Sequence, residues 1–237
     1  MDKKIKPSVS CPIKLGIKYS LGIPAIGLGL SMFTFGAFLK SSGFTIFQSF
    51  SSTFFAFALP GQFVMADILI AGGSILNIFF AVLLTNARLF PMTINLIPII
   101  YNKEVSKWKY FIVSHLIAVT AWINMFAVYK SIKKNDRFEF FVGLGGSLWM
   151  TSVLFTILGY VCSDLIDNKI LLGLVFFNPL YFLIMTLSNI VNKKLITVFF
   201  LSAFLGPLLN YINTNWGILL AGFISGTIGF VCFKGKL

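Results

Sequence analysis

The sequence predicts an all-α, polytopic membrane helix bundle of about seven spans, with one broken or re-entrant helix unit near residues 44–73. Three observations predict it. Of the 237 residues, 57% are apolar and only 11% charged, with 28 Phe and a mean hydropathy of +0.91. A soluble domain carries about 25% charge, and the polar residues here are too few to cover a water-facing surface. The apolar residues gather in runs of bilayer length with the lysines between them. One such run, 44–73, is interrupted at its middle by Pro60 and Gly61.

Taken in order, residues 1–18 form a basic N-terminal segment (Lys3, Lys4, Lys6, Lys14, Lys18). It leads straight into a long apolar run that further spans follow, which reads as a retained first helix rather than a cleaved signal. Apolar runs then fall at 19–39, 75–101, 110–129, 138–161, 170–191, 195–211 and 214–233, all read as full or near-full spans. Residues 19–237 are thus expected to be a single transmembrane domain, since the longest polar connection, 130–137, is too short to hold a core. The pieces 44–59 and 62–71, closed by Gly72, Gly73 and Ser74, are marginal or too short to cross at about 1.5 Å per residue. Pro- or Gly-interrupted segments near 60, 179 and 206 hint at an internal repeat, although the halves do not align.

The net charge of +12 lies in the gaps between runs, where it meets lipid headgroups rather than nucleic acid. With 44–73 returning to the side it leaves, the N-terminal side collects Lys3, Lys4, Lys6, Lys14, Lys18, Lys103, Lys107, Lys109 and Lys169. The other side collects Lys40, Lys130, Lys133, Lys134, Arg137, Lys193, Lys194, Lys234 and Lys236, an even split that barely orients the chain; a cytoplasmic N-terminus is favoured only by the first helix. Cys11, Cys162 and Cys232 are scattered, so neither a metal site nor a disulfide framework is expected. No cofactor is expected, and with no nucleophile–base pair or ligand cluster the chain does not read as an enzyme.

Irregular backbone at membrane depth is tolerated only inside protein or beside a water-filled cavity, so the break at Pro60 and Gly61 marks a candidate site. A half-helix N-terminus there presents free N–H groups to an anionic group. Between Lys40 and Lys103 the only charges are Asp67 and Arg88, both inside apolar sequence. Helical rise from a turn at 72–74 puts Asp67 about 9 Å, Gln62 about 16 Å and Arg88 about 22 Å from one interface. Gly61, Gln62 and Arg88 are therefore expected to converge on a carboxylate, with Arg88 as a planar two-pronged donor. Arg88 as a helix-locking group is the other reading. Asp67 is a candidate coupling group, ammonium ligand or partner of Arg88. Asn86, two residues before Arg88, faces the opposite side of its helix and suits holding a neighbouring broken backbone. His115 reads as a satisfied interfacial ring, and Gly143–Ser147 as close helix packing rather than a phosphate loop.

The run Phe57 to Phe63 (FALPGQF), followed by Leu84 to Arg88 (LTNAR), resembles the AzlC family of branched-chain amino acid permeases. Gly143-Leu-Gly-Gly-Ser-Leu-Trp149 with Gly159, and Leu172-Gly-Leu174 leading to Pro179, look like later blocks, so the resemblance runs from about Pro24 to the C-terminus. It implies a multi-pass protein of the bacterial cytoplasmic (inner) membrane that exports branched-chain amino acids together with a small AzlD-type membrane subunit. It also places Gln62, Asn86 and Arg88 on the family motifs. The chain departs from many relatives by reading Thr120, Ala121, Trp122 where they have Thr-Asp-Glu, and Val175 where they have Asp. Two intramembrane acids are thus missing, which leaves Asp67 to take their place or the substrate to differ. The expected function is a secondary transporter exporting small apolar amino acids. The alternative is a channel or pore subunit for a small polar or anionic solute.

Overall fold

The computed structural model describes residues 11–165, 173, 176, 180, 183, 184, 187, 193–212 and 217–233. It is helical throughout, with no strand among the described residues. The chain divides into two compact units, residues 1–178 and 179–237. The expected span 170–191, with Val175 and Pro179, lies largely outside the described residues.

The first unit contains α1 (Pro12–Ser20), α2 (Ile23–Ser41), α3 (Ile46–Phe55), α4 (Leu59–Ile70), α5 (Ile75–Asn86), α6 (Leu89–Ile100), α7 (Lys107–Ser114), α8 (Val119–Val128) and α9 (Arg137–Cys162). Pro12, Pro24 and Pro60 stand in the first turns of α1, α2 and α4, where a missing N–H costs nothing. Thr45 and Gln48 start α3 with a reciprocal capping box. Gly43 and Gly72 supply the positive φ angles, 83° and 70°, of the turns before α3 and after α4.

The strut of this unit is α9, whose 26 residues reach about 39 Å, with Trp149 halfway along. α1 and α2 run parallel to it. Gly143 faces the backbone of Ile13, Ser20 Oγ bonds Ser147 Oγ, Phe155 lies on Gly29, Gly159 on Phe33, and Lys40 reaches Asp164. At Gly36 and Gly159 the two backbones touch where a Cβ would stand, the close approach on which membrane helices depend in the absence of a hydrophobic drive between them. The glycine-rich block at 143–147 is therefore packing.

Two broken hairpins flank α9. α3 descends along it from its C-terminal end: Tyr160 Oη donates to the carbonyl of Phe44 (2.9 Å), Thr53 meets Thr156, and Trp149 Nε1 donates to the carbonyl of Phe54 (3.2 Å). After the break at 56–58, α4 turns back, placing Phe63 against Phe35 and Phe38 of α2. The unit 44–73 is thus re-entrant. α5 and α6, bent by 47° at their junction, then carry the chain to the N-terminal end of α9. There Asn102 Nδ2 bonds the carbonyl of Asn135 and Tyr110 packs on Phe138.

The run 110–129, expected as one span, is instead a second re-entrant hairpin. α7 rises from Phe138 until His115 meets Trp149 and Leu116 meets Gly145. The chain turns over residues 115–118 through tight three-residue hydrogen bonds, and α8 descends until Tyr129 lies 5.2 Å from the guanidinium of Arg137. Nothing in the apolar pattern marks this turn, because it contains neither Pro nor Gly. Within the first unit the break near residue 60 therefore has its counterpart at 115–118, and the interruption expected near 179 lies outside the described residues.

This correction reassigns charge. Lys130, Lys133, Lys134 and Arg137 join Lys14, Lys18, Lys103, Lys107 and Lys109 at the N-terminal end of α9, and Lys40 stands at the other end beside Asp164. The even split disappears for this unit.

In the second unit, α10 (Lys193–Ile212) and α11 (Gly217–Phe233) pack on each other, with Ser202 Oγ and Ser225 Oγ 2.6 Å apart. α10 continues through Pro207 without a break, so the interruption near 206 is not a second broken unit.

Candidate functional site

The break between α3 and α4 is buried rather than lipid-facing, and its polar groups are tied to α9. Ser152, Thr156 and Thr53 are fully buried, as is Gln62 at 1% exposure. Thr156 Oγ1 donates to the carbonyl of Ser152 (2.9 Å), its own helix's preceding turn. Thr53 Oγ1 lies 3.0 Å from Thr156 Oγ1, and Gln62 Nε2 donates to Thr53 Oγ1 (3.1 Å). A polar thread thus crosses from α9 through the end of α3 to the first turns of α4.

Asn86, the last residue of α5, closes the other side. Its amide lies directly over Gly61: a Cβ there would stand 2.6 Å from Oδ1 and 2.8 Å from Cγ. Only glycine at 61 leaves room for that amide. Gln62 Oε1 and Asn86 Oδ1 are both buried and accept no hydrogen bond. The N-cap of α4, Ala58, has no side chain to satisfy the first-turn N–H groups, and Pro60 contributes none. The site therefore offers unfilled donors and unfilled acceptors side by side.

The second hairpin repeats part of this pattern. α8 begins at Ala118, again without a side-chain cap, and its first turn holds the buried Thr120 and Ala121. Trp122 Nε1 is a buried donor with no acceptor. Ala121 and Trp122 are thus in the first turn of this second half-helix.

The structure brings Gly61, Gln62 and Asn86 together. Arg88 follows two residues later as the N-cap of α6, at the bend of the α5–α6 pair, and is exposed. Asp67 is exposed further along α4, more than a turn beyond Gln62. No ion pair joins Asp67 to Arg88; among the described residues the ion pair is Lys40 with Asp164 (2.6 Å). No cluster of three or more His, Cys, Asp or Glu side chains occurs among the described residues.

Sequence reasoning passed over Thr53 and Thr156, met Trp149 only within the Gly143–Trp149 block, and read His115 as a satisfied ring at the membrane interface. His115 is not a buried ring at the membrane interface but an exposed side chain at the hairpin tip, level with the middle of α9. Ser152 and Thr156, four residues apart within an apolar run, were the available signal of a polar helix face.

A family model described as AzlC protein matches residues 24–166. An uncharacterized membrane protein of Archaeoglobus fulgidus is 26% identical over 189 residues, covering 78% of this chain and 80% of that protein. No solved structure matches the chain. The matched segment holds both broken hairpins and more than half of the sequence, so the chain belongs to the AzlC family of membrane proteins, a membership consistent with a role in membrane transport.

Proposed function

We propose that this protein is a secondary transporter that exports small apolar amino acids, branched-chain ones among them, across the bacterial inner membrane, working with a small AzlD-type membrane subunit. The observation that carries the reading is the pair of re-entrant hairpins entering from opposite ends of α9 and meeting near its middle. A fold with one such hairpin per side suits a site reached alternately from each side as the elements around it rock.

In this reading the substrate carboxylate lies at the uncapped first turn of α4, where unpaired N–H groups and the helix dipole favour an anion. Gly61 makes room for the Asn86 amide, Asn86 lies over the broken backbone, and Arg88 lends positive potential from the bend. Asp67, exposed on the same helix, is the candidate coupling or charge partner. The substrate's side chain lies among the phenylalanines near the break.

Counterflow tests the reading: proteoliposomes containing this chain and the small subunit are loaded with unlabelled leucine and presented with labelled leucine, valine or methionine. Saturable uptake is expected. Uptake that rises linearly with concentration favours a pore, and no uptake contradicts the assignment.

A further inference from the structure

We propose that the amide oxygens of Gln62 and Asn86 form an ammonium subsite, so that the protein selects solutes carrying a protonated amino group beside a carboxylate. The inference rests on the transporter reading and adds the chemical feature by which the site chooses its cargo.

The argument begins with proton direction along the polar thread. Thr156 has one hydroxyl proton and gives it to the carbonyl of Ser152 at 2.9 Å. The bond between Thr156 and Thr53 at 3.0 Å must then use the proton of Thr53. With that proton committed, Thr53 Oγ1 can only accept from Gln62, which must present its NH2 group. Turning the amide over would set two acceptors against each other. The orientation of Gln62 is thereby fixed by α9, and Oε1 is held on the other side of the amide, buried and without a donor.

Asn86 Oδ1 is in the same condition. Its amide sits on Gly61, the residue before Gln62, so both acceptors belong to side chains gathered at the first turn of α4. Buried acceptors left empty are costly, and a site holding two of them is built for a donor that arrives. Arg88 does not supply it, since its guanidinium bonds neither oxygen and is exposed. The first-turn N–H groups of α4 meanwhile ask for an anion. A group with an ammonium one carbon away from a carboxylate meets both demands and is neutral overall, which suits a site whose own groups are uncharged amides.

The test is inhibition of labelled-leucine counterflow in proteoliposomes of the complex by leucine, by 4-methyl-2-oxopentanoate and 4-methylpentanoate, which lack the ammonium, and by leucinamide, which lacks the carboxylate. In the wild-type protein each truncated compound is expected to compete about tenfold more weakly than leucine, or worse. Gln62→Met, which keeps the length of the side chain but removes its oxygen, is expected to weaken leucine about tenfold while leaving the oxo acid's competition unchanged, so that the preference collapses. Thr53→Val removes the hydroxyl that holds the Gln62 NH2 group and frees the amide to turn over; it is expected to lower uptake and to reduce, without abolishing, the preference for leucine over the oxo acid. An oxo acid that competes as well as leucine against the wild-type protein overturns the subsite and leaves the transporter reading standing. So does a Gln62→Met variant that keeps the full preference. Absence of any leucine counterflow overturns both.

Discussion

His115 Nε2 donates to the main-chain carbonyl of Phe54 across 2.9 Å, and this bond joins the tip of one re-entrant hairpin to the tip of the other. Trp149 Nε1, midway along α9, donates to the same oxygen at 3.2 Å. The carbonyl belongs to the last turn of α3, where helical hydrogen bonding has run out and an outside donor is required. The His115 and Trp149 rings meet edge to face, 5.8 Å apart. Three elements therefore converge on one oxygen level with the middle of α9.

Because two donors share that oxygen, losing either is buffered by the other. Trp149→Phe or His115→Ala alone is expected to destabilise the purified protein by about 0.5–1 kcal/mol, in line with single interhelical bonds in membranes. The double variant leaves the half-buried carbonyl without either donor and is expected to cost about 1 kcal/mol more than the sum. Thermal unfolding of the four proteins measures the coupling, and strict additivity would show that the two hairpins are not joined there.

Gly61→Ala places a methyl group where the Asn86 amide lies. Overpacking of this kind costs about 1–3 kcal/mol. The expected outcome is a folded protein with transport reduced about tenfold or more, since Asn86 and the end of α5 must move. Adding Asn86→Ala is expected to recover stability without recovering transport. Recovery of both would mean that Asn86 has only a packing role.

The contact between α2 and α9 makes a sharper demand. Gly36→Leu forces a side chain into the carbonyl of Thr156, and no well-folded protein is expected on size-exclusion chromatography. Gly146→Ala, on the same helix as the thread but with open space around it, is expected to leave stability unchanged or raise it by up to about 1 kcal/mol through helix propensity.

With both hairpins returning to the side they leave, the basic residues of the first unit collect at the N-terminal end of α9, which the positive-inside tendency assigns to the cytoplasm. Cysteines introduced at Asn102 and Asn135 are expected to react with a membrane-impermeant maleimide only after cells are opened, and one at Ser42 in intact cells. The reverse labelling would invert the assignment.

Much of this was legible in the residues. Pro60 and Gly61 announced the first break because proline removes a donor and glycine leaves a gap, and the two-residue offset of Asn86 from Arg88 placed the amide on the side of the broken backbone. The second break was hidden, since residues 115–118 read His-Leu-Ile-Ala and carry no breaker; it is held by a hydrogen bond to Phe54 and by packing against Trp149 and Gly145. That single omission put Lys130 to Arg137 at the wrong end of α9 and made an even charge split out of an uneven one in the first unit. Depth arithmetic also set Arg88 beside Gln62, whereas the 47° bend between α5 and α6 leaves Arg88 exposed at the corner.

The central claim, that the first turn of α4 receives the solute, is tested most directly by substrate protection of Ala58→Cys. Cys11, Cys162 and Cys232 are first changed to Ser, and alkylation of the new thiol is timed in proteoliposomes with and without leucine. Leucine is expected to slow the reaction about tenfold at saturating concentration, while 4-methylpentanoate does not. An unchanged rate at leucine concentrations that saturate counterflow would contradict the account and place the site elsewhere.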